Sequence, residues 1–65
     1  MEPLTERQHQ IATLVAEGLS SKKVALRLGI SEQTVKNHRS AIYRKLDVPN
    51  AAAMARVLVT EESSG

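Results

Sequence analysis

The sequence predicts an all-α fold, with four short helices forming one domain over residues 1–65. Three observations carry this. The chain holds one Tyr and neither Phe nor Trp, so its core must come from Leu, Ile, Val and Ala, which pack between helices better than they build a small sheet. Residues that cap helices stand at Thr5, Ser20 or Ser21, Ser31 and Asn50, each ahead of apolar residues at helical spacing. Gly18, Gly29 and Pro49 fall between those segments, where helices should stop.

Helix one is expected from about Glu6 to Glu17. Its start, "TERQ", fits a capping box in which Thr5 and Gln8 exchange side-chain to backbone hydrogen bonds. Ile11, Leu14 and Val15 repeat at helical spacing, and Gly18 can take the left-handed conformation that lets Leu19 fold back on Leu14. Helix two is expected over about 21–28, with Val24, Ala25 and Leu28 as a short buried stripe ended by Gly29. Ser31 caps helix three, expected over about 32–46, and Glu32 places a carboxylate at the positive end of its dipole. Pro49 cannot donate a backbone hydrogen bond and pushes Val48 toward extended geometry. Asn50 can cap helix four, expected over about 51–60, and the closing "EESSG" is polar and expected to fray.

Composition excludes several functions. The absence of Cys removes disulfides, thiolate metal sites and thiol nucleophiles, and His9 and His38 stand far apart without a ligand pattern. No metal or other cofactor is expected. A 65-residue domain has little room for an interior pocket, so neither an enzyme nor a small-molecule receptor is expected. No apolar run approaches the roughly 20 residues that span a bilayer, and "MEPLTERQ" has neither the basic nor the apolar region of a signal peptide. The expectation is a soluble cytoplasmic protein. Its net charge is only +2, yet residues 22–45 hold seven basic residues against Glu32 alone, while both flanks are net acidic. Such a patch suits a polyanionic partner.

The joint between helices two and three, "VALRLGISEQTV", sharpens that expectation. Two short helices can cross steeply around a tight turn only if a small residue lets the backbones approach, a glycine makes the bend and apolar residues bury the joint. Ala25, Gly29 and the trio Leu28, Ile30 and Val35 fit those roles in order. The pattern is a helix-turn-helix, whose second helix enters the major groove of double-stranded DNA.

On helix three, Val35, Ile42 and Leu46 fall on one side. Gln33, Lys36, Asn37, Ser40 and Arg44 occupy a sector of about 100° on the other. Lys36 can donate to guanine O6 and N7, Asn37 and Gln33 can pair with adenine, and Ser40 is small enough for close approach, so these four are the candidate base readers. Ser21 and Lys22 begin helix two, where backbone N–H groups and the dipole favour an anion, and Lys23 adds charge beside them. With Thr34, Arg39, Arg44 and Lys45 on helix three they form the candidate phosphate contacts. Tyr43, at the edge of the outer face, fits either a phosphate contact or partly buried packing. His38 borders the buried stripe and is read as a packed histidine making one hydrogen bond, with a phosphate or base contact as the alternatives.

The stretch "LTERQHQIATLVAEGLSSKKVALRLGISEQTVKNHRSAIYRKLDV" resembles the LuxR-type (LuxR, FixJ and NarL-like) helix-turn-helix domain, notably in its opening "LT.R", the "EGLS" turn and the "TVKNH" core. The resemblance implies a four-helix DNA-binding domain of bacterial transcription regulators, response regulators among them, usually dimeric through helix four. It also implies that Lys36, Asn37 and Ser40 face bases, and it makes His38 typical. Gln8 and Lys23 stand where the family usually has Glu, so the caps of helices one and two are expected to be weaker or different. Ser21 replaces a frequent Asn, and Ala51 and Ala53 replace longer polar residues, often Arg and Gln.

Helix four is apolar on more than one side. One side can cover helix one. Ala51, Ala52, Ala55, Leu58 and Val59 are the candidates for a homodimer interface that would set two recognition helices on successive half-sites. The expected function is sequence-specific binding of double-stranded DNA. The alternative is an interaction module of the same fold that binds a protein such as RNA polymerase.

Overall fold

The computed structural model describes the backbone of residues 3–64 and the side chains of residues 3–59. Four helices follow one another, α1 (Glu6–Ala16), α2 (Ser21–Leu28), α3 (Glu32–Leu46) and α4 (Ala51–Ser64), with no strand among the described residues. α1 packs against both α3 and α4, and α2 packs chiefly on α3, so the joint of interest is held at one end of a small bundle.

The helix ends follow from local chemistry. Thr5 and Gln8 form the capping box in full, each side chain accepting the other's backbone N–H at 3.1 Å. The box thus forms with a different acceptor from the family's usual one: the neutral amide oxygen of Gln8 takes the bond that a carboxylate would. α1 ends at Ala16, one residue earlier than expected, and Leu19 N–H bonds back to the Leu14 carbonyl at 3.2 Å across Gly18 at φ 101°. Ser20, not Ser21, caps α2, accepting the Lys23 N–H at 3.2 Å. Asp47 closes α3 in the left-handed region at φ 56°, a conformation that its short polar side chain tolerates. Asn50 Oδ1 accepts the Ala53 N–H at 2.9 Å and opens α4. That helix runs to Ser64, beyond the expected end near residue 60, and neither Gly nor Pro interrupts it. Gly65, the last residue of the tail expected to fray, lies outside the described residues.

The core joins Ile11, Ala12 and Val15 of α1, Val24 and Ala25 of α2, Val35, Ile42 and Leu46 of α3, and Met54 and Leu58 of α4. Burying each larger aliphatic side chain contributes about 1.5–3 kcal/mol, so these few contacts hold the helices in place. Leu58 was expected at a dimer interface, but at 7% exposure it belongs to this core. The reason is its spacing: Leu58 stands one turn beyond fully buried Met54 and shares its face.

Candidate nucleic-acid interface

Only Gly29, Ile30 and Ser31 separate α2 from α3. Gly29 adopts φ 70° and ψ 35°, and Ile30 N–H bonds to the Ala25 carbonyl at 3.1 Å, which turns the chain sharply. Ser31 then caps α3 by accepting the Thr34 N–H at 3.0 Å. Buried Val24, Ala25 and Val35, with half-buried Leu28 and Ile30, seal the joint. The two helices are therefore held by both a backbone turn and an apolar contact.

Beyond that joint α3 presents a polar face. Gln33, Lys36, Asn37, Ser40 and Arg44 are all exposed. Gln33 Nε2 donates to Asn37 Oδ1 at 3.0 Å, which leaves the Gln33 carbonyl as an acceptor and the Asn37 amide nitrogen as a donor for a ligand. Lys36 Nζ lies 3.4 Å from Glu32 Oε2, with the two side chains 57% and 47% exposed. An ion pair so solvated contributes only about 0.3–0.5 kcal/mol, so Lys36 can readily exchange Glu32 for another anion.

The expected phosphate contacts divide into two groups. Lys22, Lys23 and Arg44 are exposed and carry no ion pair among the described residues. Thr34 is half-buried, its hydroxyl 2.7 Å from that of Ser31. Ser21, Arg39 and Lys45 are instead engaged within the protein. Arg39 Nη1 donates to Ser21 Oγ at 2.6 Å, and its Nε donates to Tyr43 Oη at 3.0 Å. The guanidinium carbon stands 5.8 Å from the centre of the Tyr43 ring. Ser21 is buried, so its hydroxyl is not displayed to an external phosphate as expected, although it opens α2.

Lys45 Nζ donates to Gln8 Oε1 at 2.8 Å and lies 3.4 Å from the Pro3 carbonyl, on the side of α3 that meets α1. Charge and position along α3 do not reveal these links, because Ser21 and Gln8 come from other helices. A partial signal was available: Arg39 stands four residues after Val35 and three before Ile42, so it leaves the helix beside the buried stripe. Tyr43, for which two roles were open, is half-buried against Arg39. His38 is half-buried, but its side chain makes no hydrogen bond among the described residues.

On α4, Ala52 and Val59 are exposed, Val59 to 60%, whereas Ala51 and Ala55 are half-buried. Ala55, Leu58 and Val59 line a shallow groove with Thr13, Ala16 and Glu17 of α1. No helix among the described residues is long and apolar enough to cross a membrane. Among those residues no group of three His, Cys, Asp or Glu side chains could hold a metal ion.

Residues 2–58 match the family described as bacterial regulatory proteins, luxR family (GerE). The chain is 42% identical over 55 residues to the transcriptional regulatory protein UhpA of Escherichia coli (strain K12), covering 85% of this chain and 28% of that protein. It is 44% identical over 48 residues to the transcriptional regulatory protein DesR of Bacillus subtilis (strain 168), covering 74% and 24% of the two chains. It is also 41% identical over 63 residues to a nitrate/nitrite response regulator protein homolog of Haemophilus influenzae, covering 97% and 30%. The chain thus spans less than a third of the length of these curated relatives.

Proposed function

The chain belongs to the LuxR family of bacterial regulatory proteins, and from that premise we propose that it binds DNA sequence-specifically by inserting α3 into the major groove. The family is one of DNA-binding transcription regulators, not of enzymes. One observation carries the finer reading: the exposed face of Gln33, Lys36, Asn37, Ser40 and Arg44 stands on the helix that follows a tight, apolar-sealed turn. Lys36, Asn37, Ser40 and Gln33 read base edges. Lys22, Lys23 and Arg44 hold phosphates on either side, Thr34 borders the backbone, and the N-terminal N–H groups of α2 receive a phosphate beside buried Ser21.

Two copies of the domain meet on DNA through α4, where exposed Ala52 and Val59 and half-buried Ala51 and Ala55 remain once Leu58 is committed to the core. The bacterial cytoplasm is the compartment this function requires. A protein partner such as RNA polymerase competes as the occupant of that same apolar side of α4.

Unbiased selection of bound duplexes from a random library tests the reading. A palindromic consensus with two equal half-sites is expected from a dimer that reads bases. Recovery of unrelated sequences from the wild-type chain would remove the proposal of sequence-specific reading, and a single half-site would remove the dimer.

A further inference from the structure

We infer that Arg39 is a positioning residue for base reading, a strut between α2 and α3 that fixes the rotation of the recognition helix, and not a phosphate ligand. The inference rests on the proposal that α3 reads DNA.

Its basis is the geometry of one guanidinium. Arg39 Nη1 reaches Ser21 Oγ at 2.6 Å, joining positions 18 residues apart in the chain. Nε of the same group donates to Tyr43 Oη at 3.0 Å, one turn further along α3. The Tyr43 ring lies beside the cation, 5.8 Å from its centre. A guanidinium is a rigid planar fork, so two bonds from one group, one along its own helix and one to the neighbouring helix, fix its position far better than one bond would. Ser21 is buried in the first turn of α2, and its backbone is set by the Ser20 cap. The strut therefore ends on a fixed point.

The consequence concerns the neighbours of Arg39 on α3. Asn37 and Ser40 flank it within two residues, and Lys36 lies three before it. Any rotation of α3 about its axis that carried those side chains along the groove floor would pull Arg39 away from Ser21. Productive base contacts require side chains held to about 0.5 Å and 10–20°, which apolar packing by Val35 and Ile42 alone constrains less sharply than a directional bond. Tyr43 is the only aromatic residue in the chain, so its near-ultraviolet circular dichroism reports directly on the guanidinium beside it.

Salt dependence separates a strut from a phosphate ligand. Affinities of the wild type, Ser21→Ala, Arg39→Gln and the double variant are measured for the selected site and for a scrambled duplex over a range of NaCl concentrations. Far-ultraviolet circular dichroism verifies folding. As a strut, Arg39→Gln lowers discrimination between the two duplexes by about tenfold while leaving the slope of log K against log[salt] within about half a unit of the wild type. It also changes the Tyr43 near-ultraviolet signal. Ser21→Ala, which removes no charge, lowers discrimination similarly, and the double variant is no worse than Arg39→Gln.

Loss of about 0.9 from the slope with discrimination preserved makes Arg39 a phosphate ligand and overturns the inference. Unchanged discrimination in Ser21→Ala overturns it as well, and that milder variant decides the question if Arg39→Gln does not fold. If the wild type itself shows no preference between duplexes, the reading of α3 as a base-reading helix fails and takes this inference with it.

Discussion

Lys45 Nζ donates to Gln8 Oε1 across 2.8 Å, so the last turn of α3 is tied to the first turn of α1. The same oxygen accepts the Thr5 backbone N–H at 3.1 Å, making one buried amide both the return half of the helix cap and the anchor of a cation. A carboxylate in place of that amide would keep both bonds, strengthen them by charge, and interact favourably with the N-terminal end of the α1 dipole. Gln8→Glu is therefore expected to stabilise the domain by about 0.5–1 kcal/mol in urea unfolding at neutral pH. In a Lys45→Met background the gain should shrink to the share that the cap and the helix dipole supply. A glutamate variant no more stable than the wild type would show that desolvation of the new charge outweighs the pair.

The turn between α2 and α3 makes a different demand. Gly29 sits at φ 70°, where a side chain is strained, yet a Cβ placed there meets nothing within 4 Å. The cost of Gly29→Ala is thus conformational, and a loss of about 1–2 kcal/mol in stability is expected with little change in DNA preference. Asn, which tolerates this region, should recover part of the loss. A Gly29→Ala variant of unchanged stability but altered DNA preference would contradict this account.

Much of this arrangement is legible in the sequence because it depends on neighbours in the chain. Ser31, Gly29 and the Val35, Ile42 and Leu46 stripe define the limits and the inward side of α3 by short-range bonds and helical period alone. Arg39 and Lys45 resist the same treatment. Both are long cations beside an apolar stripe, and their partners, Ser21 and Gln8, come from other helices, whose placement charge and spacing do not specify. Helix four fails for another reason: alanines at 51, 52, 53 and 55 mark no preferred side, so only the pairing of Met54 with Leu58 sets its phase, and Leu58 is easily misplaced outward.

Stability and binding should separate along α3. Ile42 is fully buried at the centre of the core, and Ile42→Ala is expected to cost about 2–5 kcal/mol through lost burial and the cavity left behind. Arg44, exposed on the opposite side, should cost less than about 0.5 kcal/mol on replacement by Ala while weakening DNA binding. Urea midpoints and DNA affinities of the two variants check both halves of the contrast. Equal stability losses at the two positions would mean that α3 is not oriented as described.

Glu32 lies on the same exposed turn as the proposed readers and pairs with Lys36 at 3.4 Å. Before Lys36 can bind a base edge it must leave that carboxylate, which would also repel nearby phosphates. Replacing Glu32 by Gln should raise affinity for all duplexes by about two- to fivefold at low salt, and the gain should shrink as salt screens the removed charge. The same substitution should cost α3 only a few tenths of a kcal/mol, the value of a lost surface pair and a lost dipole interaction. Affinity unchanged or lower in Glu32→Gln would mean that the carboxylate supports the bound state, for example by accepting from a cytosine amine.

The proposed reading separates side chains that read bases from cations that hold phosphates. Lys36 and Asn37 lie on the exposed face of α3, whereas Lys22 lies in the first turn of α2, on the other side of the Gly29 turn. Contacts to base edges distinguish sequences, while contacts to phosphates are the same on every duplex. Lys36→Ala and Asn37→Ala are therefore expected to lower affinity for the selected site by about 1–3 kcal/mol each and to flatten preference at particular positions of the consensus. Lys22→Ala should weaken selected and scrambled duplexes alike and reduce the salt slope by about one. Repeating the random-library selection with each variant gives the position-by-position readout. Retention of the full consensus by Lys36→Ala would place base reading on other residues, and a changed consensus in Lys22→Ala would bring the start of α2 onto the bases.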